Sequence, residues 1–375
     1  MNDIFSHLTG QARVEQLLRA EAEQPGRSLL FIGPPGVGKT QAARAFAAAV
    51  LCPEACGHCN ICTRVLRDVH PDVHIYQPEG FTYPVASIRQ MVSSANQSPL
   101  EGTRRVFIIE EADRIVERSQ NALLKALEEP SAATTWILLA GSLDVFLPTV
   151  LSRCRMIEFL PVAEESVRNL LTERFEVEPS HAGLVAQIAM GDLDRAIQLA
   201  TDPMAMRLRV LAIKACTRAG PTGVWALSAT EEVQELAAEV RSSLATEQAQ
   251  ELNELEEMTG GGRGTGPAKK RLQDKHKRAL RRVETRVYLD FFAWMGLCFR
   301  DLAAAAVGVP AEELLTSDHA PEVVAAADSQ PAYFWLAEAD RTQQARLALM
   351  ENANPALLLD SVLLDLAIGA TSARP

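Results

Sequence analysis

Residues 33–40 read "GPPGVGKT", which satisfies the G-x-x-x-x-G-K-[ST] spacing of a loop that cradles phosphate. The residue types explain the chemistry. Gly33, Gly36 and Gly38 let the backbone wrap closely around an anion, so that its N–H groups and the following helix N-terminus face the negative charge. Pro34, Pro35 and Val37 complete the loop, Lys39 reaches the β- and γ-phosphates of a nucleotide, and the Thr40 hydroxyl holds Mg²⁺. The bland alternative is a chance glycine turn. The context argues against it, because "SLLFI" at 28–32 reads as a strand and 40–51 as an Ala-rich helix.

A second group of residues belongs with that loop. "VFIIEE" at 106–111 is a buried-strand pattern running into two glutamates. An ATP-hydrolysing site of this type presents Asp-Glu there, the Asp for the magnesium ion and the Glu for the attacking water. Glu110 would complete the magnesium shell, directly or through water, and Glu111 would orient or deprotonate the water. Glutamate at the first position moves the carboxylate about one methylene outward, whereas Mg²⁺ demands near-ideal octahedral geometry. The expectation is therefore that ATP or ADP binds and that hydrolysis is weak or absent. Both acids also suit a helix N-terminus, where the macrodipole favours negative charge, and the two readings hold together in part.

"CPEACGHCNIC" supplies Cys52, Cys56, Cys59 and Cys62 as C-x₃-C-x₂-C-x₂-C. Four thiolates so close together can close a tetrahedral shell around Zn²⁺ with no position left for substrate, a structural site. A redox pair or idle cysteines are the alternatives, and the spacing favours zinc. His58 and His70 are spare neighbours, and His70, before Pro71, suits a loop or cap better than a ligand.

These groups need elements to hold them. The apolar runs at 28–32, 106–109 and 136–140 are continuous and alternate with helical patterns, which predicts a parallel sheet covered on both faces. Past about residue 161 the strand signals end. The expected order is a nucleotide-binding α/β domain over 1–160 that carries the cysteine module at 52–62, a small helical lid over 161–205, and an all-α domain over 206–375. Within the last, 231–257 holds nine Glu against one Arg, "TGGGRGTGP" follows at 259–267, and 263–286 holds ten Lys/Arg against two acids. A solvated hairpin of one acidic and one basic helix is the preferred reading of 231–286, ahead of an arm that touches DNA phosphates.

The 375 residues allow two or three domains. A formal net charge of −11 argues against a chain that coats nucleic acid with its whole surface. The sequence shows neither a secretory signal at its start nor a long uncharged apolar run, so a cytoplasmic protein without a membrane partner is expected. Four cysteines clustered in a reducing compartment again point to metal.

The phosphate loop, the four-cysteine insert, "HPD" at 70–72, "NALLKALEEP" at 121–130 and "LSRC" at 151–154 occur in that order. The combination resembles bacterial clamp-loader subunits of the AAA+ class. "HPD" after the cysteines looks like the delta-prime branch of DNA polymerase III, whereas Glu110-Glu111 departs from the Asp-Glu pair of the ATP-hydrolysing tau/gamma branch. The resemblance covers roughly residues 1–200.

It implies an AAA+ domain, a helical lid and a collar-type C-terminal domain, in a subunit of the DNA-directed DNA polymerase III holoenzyme that is not itself the polymerase. Its partners would be tau/gamma and delta subunits, the sliding clamp and, through the complex, primer-template DNA. It implies that Arg153 is an arginine finger offered in trans to a neighbour's γ-phosphate, a role worth about 10³–10⁵ in rate. Ser142 falls near the position that senses the γ-phosphate. Asp194 stands where tau/gamma places a second sensing arginine, with Arg195 one residue beyond. Delta-prime chains commonly have an eroded phosphate loop, and this one is intact. A tau/gamma-type ATPase and a non-replicative zinc-containing AAA+ adaptor stand as alternatives.

Overall fold

Strands that lack polar alternation must be covered on both faces, and in the computed structural model five of them form one parallel sheet. The structure describes residues 4–6, 8–25, 28–78, 82–128, 131–218, 224–259 and 266–372. It divides into two units, Met1–Thr201 and Asp202–Pro375.

The first unit begins with α1 (Ala12–Glu23), β1 (Ser28–Ile32), α2 (Lys39–Leu51), α3 (Asn60–Leu66), β2 (Val73–Tyr76) and α4 (Val85–Ala95). It continues through β3 (Arg105–Ile109), α5 (Glu117–Glu128), β4 (Thr134–Ala140), α6 (Pro148–Leu151) and β5 (Cys154–Glu158). Three helices close it, α7 (Glu164–Arg174), α8 (Pro179–Ala189) and α9 (Leu193–Thr201). The strand order is β2-β3-β4-β1-β5, and every neighbouring pair is parallel.

Period-two alternation sorts each strand's side chains to two cores. Leu29, Phe31, Val106, Ile108, Ile137 and Leu139 face the cluster built on α1 and α2. Leu30, Phe107, Ile109, Trp136 and Leu138 face the cluster built on α4 and α5. The expected runs at 28–32, 106–109 and 136–140 thus fall on β1, β3 and β4.

The second unit is helical: α10 (Pro203–Thr217), α11 (Val224–Thr259), α12 (Gly266–Ala306), α13 (Ala320–Ala327), α14 (Ala332–Met350) and α15 (Pro355–Ser372). Phe291, Phe292, Phe299 and Trp335 are buried in its core. Arg209, only 1% exposed, meets the Asp318 carboxylate with both terminal nitrogens at 2.7 Å. The acidic and basic parts of 231–286 fall on α11 and α12, which pack together, and Arg241 and Glu284 pair across them at 3.0 Å. Most of the glycine-rich connection lies outside the described residues. Among the described residues no helix is long and apolar enough to cross a membrane.

The "HPD" triplet has a structural task. Asp72 is fully buried, and its carboxylate accepts the backbone N–H groups of Leu100, Glu101 and Gly102 at 2.6, 2.8 and 2.7 Å. His70 Nδ1 accepts the Asp72 N–H at 3.2 Å, the loop role expected of it. Burial pushes the Asp72 carboxyl up, and the three amides outweigh it, so its pKa lies below the usual aspartate value. A depressed carboxyl contributes stability above its unfolded pKa of about 4 and loses it as pH falls through the folded value. Asp72→Ala is therefore expected to cost about 3 kcal/mol near neutral pH, the scale of a buried charged acceptor leaving amides unpaired. Urea denaturation from pH 7 to pH 3 should show the mutant and wild-type stabilities converging at the acid end.

Candidate functional site

Because β1 and β4 are parallel, their C-terminal ends lie side by side, and the Gly33 N–H donates to the Ala140 carbonyl at 3.2 Å. The chain then turns through residues 33–38 and enters α2 at Lys39. Gly36 and Gly38 have φ of 69° and 92°, values that strain any residue with a side chain. A Cβ on Gly33 would strike the Phe159 carbonyl oxygen, and one on Gly36 would strike the Asp192 carboxylate. Val37 is buried and anchors the loop, while Pro34 and Pro35 are exposed. The open backbone is thus the chemically useful surface, and Thr40 sits half-buried in the first turn of α2.

The Lys39 ammonium donates to the Gly33 and Pro34 carbonyls. Burial pulls its pKa below the usual lysine value, while the charges of Asp113, Asp192 and Asp194 act in the opposite direction. Asp192 and Asp194 come from the start of α9. The Leu193 N–H donates to the Gly36 carbonyl at 2.7 Å, which clamps the first turn of α9 to the loop. Gln41, in the first turn of α2, donates to Asp194 at 3.3 Å. Arg195 lies 3.9 Å from Asp192.

At the end of β3 the two glutamates part. Gln77 donates to the Glu110 carboxylate at 2.7 Å. The Tyr83 hydroxyl lies 2.9 Å from the Tyr76 carbonyl and 2.6 Å from that of Glu110, pinning the strand end. Glu111 takes a left-handed backbone, φ 48°, and pairs with Arg114 at 2.8 Å. That turn brings Asp113 round instead. It is the acid whose charge acts most on Lys39, and its carboxylate faces the Gly141 N–H at 3.4 Å. Sequence reasoning passed over Asp113, since a strand-end rule stops at the first two acids.

Ser142 follows β4 at the same edge of the sheet, where its hydroxyl donates to Asp144 at 2.9 Å. Arg153 lies at the other edge. It precedes β5, whose last residue, Glu158, is level with Ile32 just before the loop. Five strand residues, about 16 Å, separate it from the level of its own phosphate loop. Its guanidinium donates to Glu128 at 2.7 Å and to the Thr149 carbonyl at 3.0 Å.

The four cysteines come together as their spacing suggested. Cys52 caps the C-terminus of α2 and Cys59 the N-terminus of α3. Ala55 and Gly57 take positive φ, 43° and 80°, to curl the connection. All four sulfurs lie within 4.8 Å of one another. Cys52 and Cys59 Sγ are 3.7 Å apart, matching the roughly 3.8 Å between ligands of a tetrahedral site with bonds of about 2.3 Å. The Cys62 N–H points at Cys59 Sγ, 3.5 Å away. Cys56 is drawn down to about 6 by the backbone N–H groups of His58 and Cys59, and burial pushes Cys62 up. The donor set fits a soft, thiolate-bound metal. His58 and His70 stand outside the four-sulfur group.

Sheet, loop and flanking helices define an α/β fold of the phosphate-loop class. Within that class, the resemblance to clamp-loader subunits is borne out: residues 10–163 match the family model for "DNA polymerase III, delta subunit". The delta-prime subunit of Bacillus subtilis is 31% identical over 54% of this chain and 63% of its own length. The tau subunit of the same organism is 29% identical over 52% of this chain and 37% of its own length. The chain thus spans less than two thirds of these relatives' length. A solved DNA polymerase III gamma-subunit-related protein of Thermotoga maritima is 17% identical, with a TM-score of 0.46, over 95% of this chain and 99% of that one.

The Phe159 carbonyl that faces Gly33 belongs to backbone bonded to β1, since the Phe159 N–H donates to Ile32 at 2.7 Å. It cannot swing aside. Gly33→Ala is expected to lower stability by about 2–4 kcal/mol. Gly36→Ala meets the end of a side chain and should cost less. Thermal denaturation of the two variants checks the order.

Proposed function

We propose that the chain is a delta-prime-like subunit of a cytoplasmic DNA polymerase III clamp loader, which joins tau/gamma and delta subunits to place the sliding clamp on primer-template DNA. The observation that carries this is the ordered set of phosphate loop, four-cysteine insert, "HPD", "NALLKALEEP" and "SRC", all of it within the span matched by the family model. On this reading residues 1–160 form the nucleotide domain, 161–205 the lid and 206–375 the helical domain through which subunits associate.

Gly33 to Thr40 hold ATP or ADP with Mg²⁺, and the nucleotide stiffens its own domain. Hydrolysis is poor, because Glu110 is engaged by Gln77 and Glu111 by Arg114. Ser142 stands at the γ-phosphate edge. Arg153 serves the neighbouring subunit: its separation from its own loop supports action in trans. An exposed pair such as Arg153–Glu128 contributes only about 0–1 kcal/mol, so Glu128 can hold the guanidinium in place and still release it to a phosphate. The four cysteines hold one structural Zn²⁺.

The second reading, a tau/gamma-type ATPase, draws on the intact loop and the tau similarity. Steady ATP turnover by the purified chain alone, abolished in Lys39→Ala, would establish it over the first. For the first, the complex is reconstituted with tau/gamma and delta subunits. Arg153→Ala is expected to lower its clamp-dependent ATPase by about 10³-fold, with assembly unchanged by gel filtration, and an unchanged rate overturns the finger assignment. Elemental analysis should find one zinc per chain. Cys59→Ser should lower both the zinc content and the melting temperature, as expected when metal binding contributes to folding.

A further inference from the structure

Three carboxylates lie around the phosphate loop. Asp113 arrives from the turn after β3, and Asp192 and Asp194 arrive from α9. α9 is tied to the loop by the Leu193–Gly36 hydrogen bond, and the Asp192 carboxylate lies directly over Gly36. Asp192 has a structural reason to be there, since it accepts the Arg195 N–H at 2.9 Å and caps the helix. Asp194 has no such duty. It is exposed, and it reaches across to Gln41 on the first turn of α2.

We propose that this loop takes a nucleoside diphosphate in preference to the triphosphate, and that Asp194 with Asp192 sets the choice. The inference rests on the reading of residues 33–40 as a nucleotide loop. Asp113, Asp192 and Asp194 are the charges that act on Lys39, and Arg195 lies 3.9 Å from Asp192, so the acids outnumber the cations before any ligand enters. The α- and β-phosphates are met by loop N–H groups and the α2 N-terminus, which offset their charge without a side-chain cation. A γ-phosphate lies further out, toward Lys39, where the acids converge. It adds a further negative charge close to like charges in a partly desolvated site. Mg²⁺ offsets part of that repulsion, so triphosphate binding should depend on the ion more steeply than diphosphate binding.

The test is isothermal titration of the full chain with ADP and with ATP, each with Mg²⁺ and with EDTA. Wild type is expected to bind Mg·ADP at least about tenfold more tightly than Mg·ATP, with a wider gap in EDTA. Asp194→Arg should bring the ratio to about one by strengthening ATP, with the ligand-free protein still folding cooperatively at a slightly lower melting temperature, and Asp194→Asn should fall between. Asp192→Asn keeps a capping side chain and should narrow the ratio as well. Equal or tighter binding of Mg·ATP by wild type, or an unmoved ratio in Asp194→Arg, overturns the inference while leaving the nucleotide loop intact. Failure of wild type to bind either nucleotide overturns the loop reading, and this inference with it.

Discussion

Parallel strands begin together and end together, and that single constraint arranges nearly everything chemical in the first unit. Gly33, Glu110 and Ser142 follow β1, β3 and β4, whose C-terminal ends lie at one edge of the sheet. The phosphate loop, the acidic turn and the residues after β4 meet there because the strands run parallel. The same constraint sends the start of β5, and Arg153 with it, to the opposite edge. That end is about five strand residues from the level of the loop, so on the proposed reading an arginine placed there serves a neighbouring molecule.

What the sequence made legible follows from how local each feature is. β1, the loop and α2 are consecutive, so a single stretch of chain carries strand, glycine turn and helix together. The cysteine group is equally local, and short gaps leave the sulfurs little choice but to meet. Asp113 was not legible, because its place depends on the left-handed turn at Glu111, which a pair of acidic residues does not announce. Asp192 was not legible as a neighbour of Gly36 because the two are distant in sequence, and only the packing of α9 brings them together. "HPD" was readable as a family mark, yet its physical work, three amides gathered on one buried carboxylate, required residues 100–102 to be seen beside it.

The two candidate ligand sites share a helix. α2 begins at the phosphate loop and ends on Cys52, so fixing the cysteine group fixes the far end of the element whose near end faces the anion. Further ties hold that end. The Ile4 N–H donates to Ala55 at 3.1 Å. Arg64 on α3 pairs with Glu101 at 2.7 Å, and Glu101 belongs to the loop held by Asp72. None of these contacts is strong by itself, since an exposed ion pair contributes about 0–1 kcal/mol. Together they make the cysteine group a brace on the far end of α2, the helix whose near end carries the phosphate loop.

An intact phosphate loop can coexist with strand-end glutamates that are engaged elsewhere. Binding an anion needs backbone geometry, and that geometry is enforced by the Phe159 carbonyl packed against Gly33 and by the left-handed backbone at Gly36. Hydrolysis needs something else, a carboxylate free to polarise water and cations to meet developing charge. Here Glu110 and Glu111 are each engaged by a neighbour, and the side chains brought to Lys39 are acids. The two requirements depend on different residues, so one can be kept while the other is lost. On the proposed reading, that separation lets a chain hold nucleotide as part of its own architecture while its one well-placed guanidinium is directed outward, to the chemistry of the next subunit.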